Sequence, residues 1–171
     1  GVPRITNKGY LSEEARTNLY LNSNSLFGTG WSTAAGSVDV NQTTAPDGTV
    51  TASKINSTGG GAYPYSPLLP AANTKYTVSI YIKAGTTNLA FGIQQPFFGD
   101  TNGDRLALFN PTTGVWSNIN AALTTTATAS VNGWWKISVT ATSGAVPISG
   151  VFTFFYGQST GYFYAWGAQL E

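Results

Sequence analysis

Short runs in which apolar and polar residues alternate constrain the fold of this chain more than any other feature. From Tyr76 to Lys83 the sequence YTVSIYIK puts Val78 and two isoleucines on one face and mostly polar side chains on the other, as a half-buried strand requires. Comparable runs lie at 16–21, 37–42, 49–55, 89–95, 106–109, 134–141, 151–156 and 162–170. Turn-forming residues such as Asn102-Gly103 separate these runs. Eight or more short strands separated by turns predict an all-β fold, an antiparallel β-sandwich.

Local patterns add three expectations about individual segments. Residues 12–16 are the one helical candidate, because Glu13 and Glu14 follow a serine of the type that begins helices. The low-complexity stretch AALTTTATAS at 121–130 is expected to be a loop or an edge strand. Alternation sends Trp134 and Trp135 to opposite faces, and we expect one of them, together with Trp166, in the core between the sheets.

Charge and residue content narrow the chemistry that this chain can perform. Eight basic and seven acidic residues give a net charge of +1, so no strong field attracts a polyanion and nucleic-acid binding is not expected. Histidine and cysteine are absent, which excludes Ser-His-Asp and Cys-His catalysis, ordinary zinc sites and disulfides. The acids are scattered rather than paired across a cleft, as glycoside hydrolysis requires. A non-enzyme is therefore expected.

Length and hydropathy indicate one domain outside the membrane. The 171 residues correspond to a single domain, which we expect to be one β-sandwich over 1–171 with 1–15 as a lead-in segment. The longest apolar run, at 151–156, is far shorter than the roughly 20 residues of a membrane helix. Because the chain begins with glycine and lacks a leader pattern, we expect it to be a fragment of a longer protein.

Several motifs resemble those of bacteriophage tail and fibre proteins. In chain order they are GYLSEEARTNLYL at 9–21, APDGTVTASKI at 45–55, YTVSIYIKAG at 76–85, FNPTTGVW at 109–116, NGWWKISVT at 132–140 and FYAWGAQLE at 163–171. The resemblance implies a jelly-roll sandwich similar to non-catalytic carbohydrate-binding modules, exposed on the extracellular surface of a virion. It also implies a surface glycan or polysaccharide, other virion proteins and further copies of the chain, as a trimer, as partners. Two alternatives stay open: a purely structural capsid-decoration or fibre-assembly domain, and an accessory carbohydrate-binding module of a polysaccharide-degrading enzyme.

Aromatic residues beside turns are the candidate contacts with a ligand or another subunit. The C–H face of a sugar ring stacks on an aromatic ring, while amide and guanidinium groups hydrogen-bond its hydroxyls. The insert QQPFFGDTNGDR at 94–105 departs from the family pattern, and an exposed phenylalanine pair there would be a patch that monomers avoid. The candidates are Gln94, Gln95, Phe97, Phe98, Arg105, Trp116, Tyr63 and Tyr65. The alternative is that both phenylalanines pack under their own loop.

No metal or other cofactor is expected. Asp100, Asn102 and Asp104 have the alternate spacing of calcium-loop ligands. An EF-hand loop also needs glycine at its sixth position and an acid at its twelfth, where this chain has Arg105 and Pro111. An Asn-Gly hairpin turn explains the same residues. A structural calcium ion elsewhere in the chain stays open as an alternative. The ground for it is that sandwich modules of the carbohydrate-binding kind, which this chain resembles, often carry one.

Overall fold

The computed structural model describes residues 4–6, 9–11, 18–20, 23, 26, 31, 36–58, 70–147 and 153–171. In these residues the chain forms twelve strands, one short α-helix and a 3-10 turn at Val131–Gly133. The elements are β1 Arg4–Thr6, β2 Gly9–Leu11, β3 Ser37–Thr43, β4 Ala52–Thr58, β5 Lys75–Lys83, β6 Leu89–Ile93, α1 Gln95–Phe98, β7 Arg105–Asn110, β8 Val115–Ser117, β9 Thr124–Ala129, β10 Trp134–Thr142, β11 Thr153–Gly157 and β12 Thr160–Leu170.

Two antiparallel sheets carry the fold. The larger has six strands in the order β3-β4-β12-β5-β10-β9, and the smaller has four in the order β11-β6-β7-β8. Strands β1 and β2 pair with each other as a separate ribbon. Strand β12 lies inside the larger sheet, between β4 and β5. The last strand of the chain therefore joins elements that are far apart in sequence.

The two sheets share one hydrophobic core. Alternate residues of β5, Val78, Ile80 and Ile82, are fully buried and belong to the same cluster as the side chains of the smaller sheet. In that sheet the rings of Phe91 and Phe155 meet edge to face, with centroids 4.8 Å apart. Each such buried side chain contributes roughly 1.5–3 kcal/mol to stability. The predicted all-β antiparallel sandwich is confirmed.

The structure also decides the expectations about individual segments. Residues 124–129 form β9, the edge strand of the larger sheet, which agrees with one of the two alternatives for the threonine-rich stretch. The helical candidate at 12–16 lies outside the described residues. The described helix is α1, inside the insert, where the turn residues did not indicate a helix. Pro96 occupies its first turn and Gly99 ends it with a φ of 65°, a pair of signals that typically bound a helix.

The three tryptophans of the larger sheet do not all lie where the sequence predicts. Trp134 and Trp135 point to opposite faces, as expected, and Trp135 packs on the core beside Phe109 with the ring centroids 6.2 Å apart. The expected position of Trp166 between the sheets is wrong. Trp166 is only partly buried and belongs to a second cluster with Trp134 and Ala52, separate from the shared core.

Candidate functional site

The insert at 94–105 buries one of its two phenylalanines in the protein core. Phe97 is 1% exposed and belongs to the core. Its ring centroid lies 6.0 Å from that of Tyr76 and 4.9 Å from that of the half-buried Phe98. Phe97 is therefore not an exposed contact, and local packing under the loop describes this ring. Phe98 keeps an exposed part, and its role as a contact stays a prediction.

The polar groups of the insert bind one another. The backbone N–H of Gln95 donates to Asp104 Oδ1 at 2.8 Å, and its side-chain amide donates to the Asp100 carbonyl at 2.5 Å. The buried guanidinium of Arg105 pairs with Asp100 Oδ2 at 2.5 Å, donates to the Gly103 carbonyl and lies 4.3 Å from the centroid of the Phe98 ring. The hydrogen bond from Arg105 lowers the pKa of Asp100, and a backbone hydrogen bond from Asn102 acts in the same direction. These hydrogen bonds hold the insert closed.

The remaining candidate residues are not brought together. Gln94 is half-buried and precedes α1 without a capping hydrogen bond from its side chain. Trp116 packs on Phe109, with centroids 5.0 Å apart, and its indole N–H donates to the Thr126 carbonyl at 3.0 Å. Trp116 therefore links β8 of the smaller sheet to β9 of the larger one. Tyr63 and Tyr65 lie outside the described residues.

A different surface concentrates aromatic and polar side chains: the side of the larger sheet that points away from the core, called the outer face below. Successive residues of a strand point to opposite sides of a sheet. On β12 the core residues Phe163 and Ala165 are buried, so Tyr162, Tyr164 and Trp166 lie on the outer face.

Strand pairing aligns the outer-face residues in rows across the sheet. In one row the directly opposed residues are Asp39, Lys54, Tyr164, Lys83 and Trp134, on β3, β4, β12, β5 and β10 respectively. In the neighbouring row Trp166 opposes Tyr81, which opposes Lys136, which opposes Thr128. Because adjacent strands lie about 4.8 Å apart, these side chains form a continuous surface.

Four half-buried aromatic rings form the centre of the outer face. Tyr162 and Tyr164 meet edge to face with centroids 5.4 Å apart, and Tyr81 and Trp166 are tilted at 57° with centroids 5.6 Å apart. Burial raises the pKa of the Tyr164 hydroxyl, and the neighbouring Tyr162 acts in the same direction. The Tyr164 hydroxyl therefore stays protonated and can both donate and accept a hydrogen bond near neutral pH.

The loop between β3 and β4 fixes the two tryptophans at one side of this surface. The indole N–H of Trp134 donates to the Thr44 carbonyl at 3.1 Å, and that of Trp166 donates to Thr51 Oγ1 at 3.0 Å. The loop turns at Asp47, whose carboxylate accepts hydrogen bonds from the backbone and hydroxyl of Thr49. Trp134 is completely buried under the loop, so Trp166 is the tryptophan of this pair that keeps an exposed part.

A β-bulge in β12 sets which of its side chains reach the outer face. Gly167 has a φ of 65°, a left-handed conformation that glycine adopts without strain. The pairing register with β5 shifts between Trp166 and Gln169. Beyond the bulge, Ala168 and Leu170 are buried while Gln169 stays partly exposed. The extra residue therefore lets β12 keep an aromatic and polar outer side along its whole length.

Glycine also allows a close approach at the other end of the aromatic surface. A Cβ atom at Gly85 would overlap the carbonyl oxygen of Tyr162. In the same turn the backbone N–H of Thr86 donates to that carbonyl at 2.8 Å, and Thr86 Oγ1 accepts from the backbone N–H of Tyr162 at 3.1 Å. The turn after β5 thus holds the backbone that carries Tyr162.

The sequence contains a signal for this surface, which lies in a strand and not beside a turn. In TGYFYAWGAQL aromatic residues occur both at even positions, such as Tyr162 and Tyr164, and at an odd position, Phe163. Even and odd positions of a strand point to opposite faces of the sheet, so some of these rings must lie outside the core. On β5, Tyr81 and Lys83 alternate with the buried Ile80 and Ile82, so they lie on the outer face in the structure. What the sequence could not supply is the register that places β4, β12, β5 and β10 side by side.

The acidic side chains of the described residues do not form a metal-binding cluster. No group of three or more His, Cys, Asp or Glu side chains that could hold a metal occurs among them. Asp39 accepts a hydrogen bond from the Asn56 amide at 2.8 Å, and it has no second acidic side chain in its row of the described outer face. Within the same residues no helix is long and apolar enough to cross a membrane.

Comparison with known proteins supports the fold. No protein-family model and no curated protein matches the chain. A solved structure does: the CBM22-1–GH10 modules of the N-terminal endo-1,4-β-D-xylanase 10B of Clostridium thermocellum, complexed with xylohexaose. The match has 14% sequence identity and a TM-score of 0.53, and it covers 90% of this chain and 27% of that chain. The fold is a jelly-roll β-sandwich. At this level of identity the similarity concerns the fold alone.

Proposed function

We propose that this chain is a non-catalytic carbohydrate-binding module whose outer face binds a polysaccharide. The observation that carries the proposal is the group of four half-buried rings, Tyr81, Tyr162, Tyr164 and Trp166, on one side of the larger sheet. Aromatic rings that are already fixed by their neighbours lose little entropy on binding and offer faces for sugar stacking. The jelly-roll likeness to a chain that contains a carbohydrate-binding module supports the same conclusion.

Polar groups around the rings are suited to the hydroxyls of a sugar. On β4, Lys54 and Asn56 lie beside the tyrosine pair of β12. Ser79 and Gln169 form the pair next to Tyr81 and Trp166. The Gln169 side chain accepts from Ser79 Oγ at a long 3.5 Å, so both groups retain capacity for a ligand. The face thus combines stacking surfaces with donors and acceptors, the usual composition of a ligand site.

The biological setting that we propose is a virion appendage, where the module would attach the particle to a surface glycan. This part of the proposal rests on the phage-like motifs at 9–21 and 163–171. The same outer face could instead contact other virion subunits in fibre assembly, so the experiment must separate the two roles.

Affinity electrophoresis through gels that contain single polysaccharides tests the proposal, with mass measurement by light scattering alongside. We expect Tyr164→Ala to lose about fivefold or more in affinity, since loss of a central contact typically costs more than about 1 kcal/mol. The matched control is Phe98→Ala, which removes another half-buried ring from outside the outer face and should keep the affinity. Loss of affinity in the control alone would contradict the proposed site. Dissociation of an oligomer by Tyr164→Ala, without retention by any polysaccharide, would show a subunit contact instead.

A further inference from the structure

We infer that the outer face selects acidic polysaccharides, in which sugars carry carboxylate or sulfate groups. The inference rests on the proposed function and names its ligand class. It starts from the positions of three lysines, Lys54, Lys83 and Lys136, in the two rows that contain Tyr81, Tyr164 and Trp166. Lys54 and Lys83 flank Tyr164 directly, which puts their backbones about 10 Å apart across two strand spacings.

Opposite charge is scarce at this part of the surface. Asp39 lies beyond Lys54 at the edge of the row, and its carboxylate hydrogen-bonds the Asn56 amide. In the described part of the chain, none of the three lysines has a carboxylate within salt-bridge distance. Lys75 and Glu171 lie at the far end of the face and carry opposite charges.

Elsewhere in the described residues, basic side chains do not outnumber acidic ones. Arg105 is the cation of the insert, and it is buried and paired with Asp100. Asp104 is the other acid of the insert. Asp47 lies in the β3–β4 loop beside Trp166, at the margin of the outer face and not at its centre. A net charge of +1 for the whole chain therefore conceals a basic centre on the outer face. The distribution, rather than the total, would guide an anionic ligand to this face.

Two of the lysines are held beside the rings on which a sugar would stack. Lys54 Nζ lies 4.5 Å from the centroid of the Tyr162 ring, and Lys136 Nζ lies 5.8 Å from that of Tyr81. Both distances are within the range of cation–π attraction, which positions the ammonium groups at the level of the rings. A substituent on a stacked sugar is then within reach of an ammonium group with three donors.

Desolvation decides between a neutral and an acidic ligand. A neutral glycan would cover these ammonium groups without supplying a counter-charge, which is unfavourable. An acidic glycan supplies carboxylate or sulfate oxygens, and the resulting charge-assisted hydrogen bonds are stronger than neutral ones. The aromatic rings provide the stacking that any sugar can use, and the lysines provide the discrimination.

Pairs of polymers that differ only in charge test the inference in affinity gels. Polygalacturonate is compared with its highly methyl-esterified form for the carboxylate, and dextran sulfate with dextran for the sulfate. We expect at least tenfold tighter retention on one or both acidic partners, and a marked weakening at high salt because exposed charges are screened. Whichever pair shows the difference identifies the anionic group.

A charge-matched pair of variants locates the effect. Lys83→Gln should weaken retention on the acidic polymer by about tenfold or more, since it removes a charge-assisted hydrogen bond to the anionic group of the ligand. Lys75→Gln removes the same charge from the far end of the same strand and should leave retention nearly unchanged. Equal losses in both variants would overturn the proposed location. Equal retention on charged and uncharged polymers would overturn the acidic preference while leaving glycan binding intact, whereas retention on no polymer would contradict the proposed function itself.

Discussion

Replacing Phe97 by alanine distinguishes a core residue from a ligand contact. Phe97 is 1% exposed and contacts the rings of Tyr76 and Phe98. Truncating a fully buried phenylalanine to alanine typically costs about 3–5 kcal/mol, from lost transfer free energy and from the cavity that remains. In a domain of this length each kcal/mol lowers the melting temperature by about 2–4 °C, so Phe97→Ala should lower it by roughly 6–20 °C.

The surroundings of α1 place the expected loss in the upper part of that range. The Phe97 carbonyl accepts the backbone N–H of Gly144 at 3.1 Å. A Cβ atom at Gly144 would overlap the Phe98 carbonyl oxygen, and one at Gly99 would overlap the Val146 carbonyl oxygen. The helix is therefore in close backbone contact with the 144–146 segment. Neighbouring atoms cannot easily move into the space that the ring leaves, so the cavity persists.

Thermal unfolding followed by circular dichroism, together with polysaccharide retention, is the assay. Phe98→Ala is the comparison, because that ring is only half-buried and its loss should lower the melting temperature less. A Phe97→Ala variant that keeps the wild-type melting temperature but loses retention would refute the assignment of Phe97 to the core. It would restore the interpretation of the insert as a contact surface.

Three further substitutions have definite expected outcomes. Gly85→Ala forces a Cβ against the Tyr162 carbonyl, and overpacking of this kind costs about 1–3 kcal/mol, so both melting temperature and glycan retention should fall. Trp116→Phe removes one hydrogen bond between the sheets and should cost about 1 kcal/mol in unfolding experiments without changing retention. Arg105 lowers the pKa of Asp100 in the folded state, so the stabilisation from the charged carboxylate is fully present above its unfolded pKa of about 4 and is lost as the pH falls through the lower folded pKa. Asp100→Asn should therefore lower the melting temperature at neutral pH and differ little from wild type in strong acid; a difference that persisted in acid would contradict the ion pair.

The strands and the inward side of the sheet could be predicted because they depend on local periodicity. The alternation in β5 correctly separates Val78, Ile80 and Ile82 from the residues of the outer face. The opposite directions of Trp134 and Trp135 follow from the same rule.

The candidate site could not be predicted in the same way, because it depends on contacts between distant segments. On β12 both phases carry aromatic residues, so the pattern alone does not say that Phe163 lies inside and Trp166 outside. The register of β4, β12 and β5 brings Lys54, Tyr164 and Lys83 into one row although they are far apart in sequence. The insert presents the converse problem, since turn residues indicated exposure whereas tertiary packing buried Phe97.

Residue-resolved mapping by nuclear magnetic resonance tests the central claim most directly. The isotopically labelled protein is titrated with oligosaccharides from a retained polysaccharide, and shifts of backbone amides and indole N–H groups are followed. Binding at the outer face predicts that the largest shifts occur at Tyr81, Tyr162, Tyr164 and the indole of Trp166. Shifts concentrated in residues 94–105, with the outer face unchanged, would contradict the account.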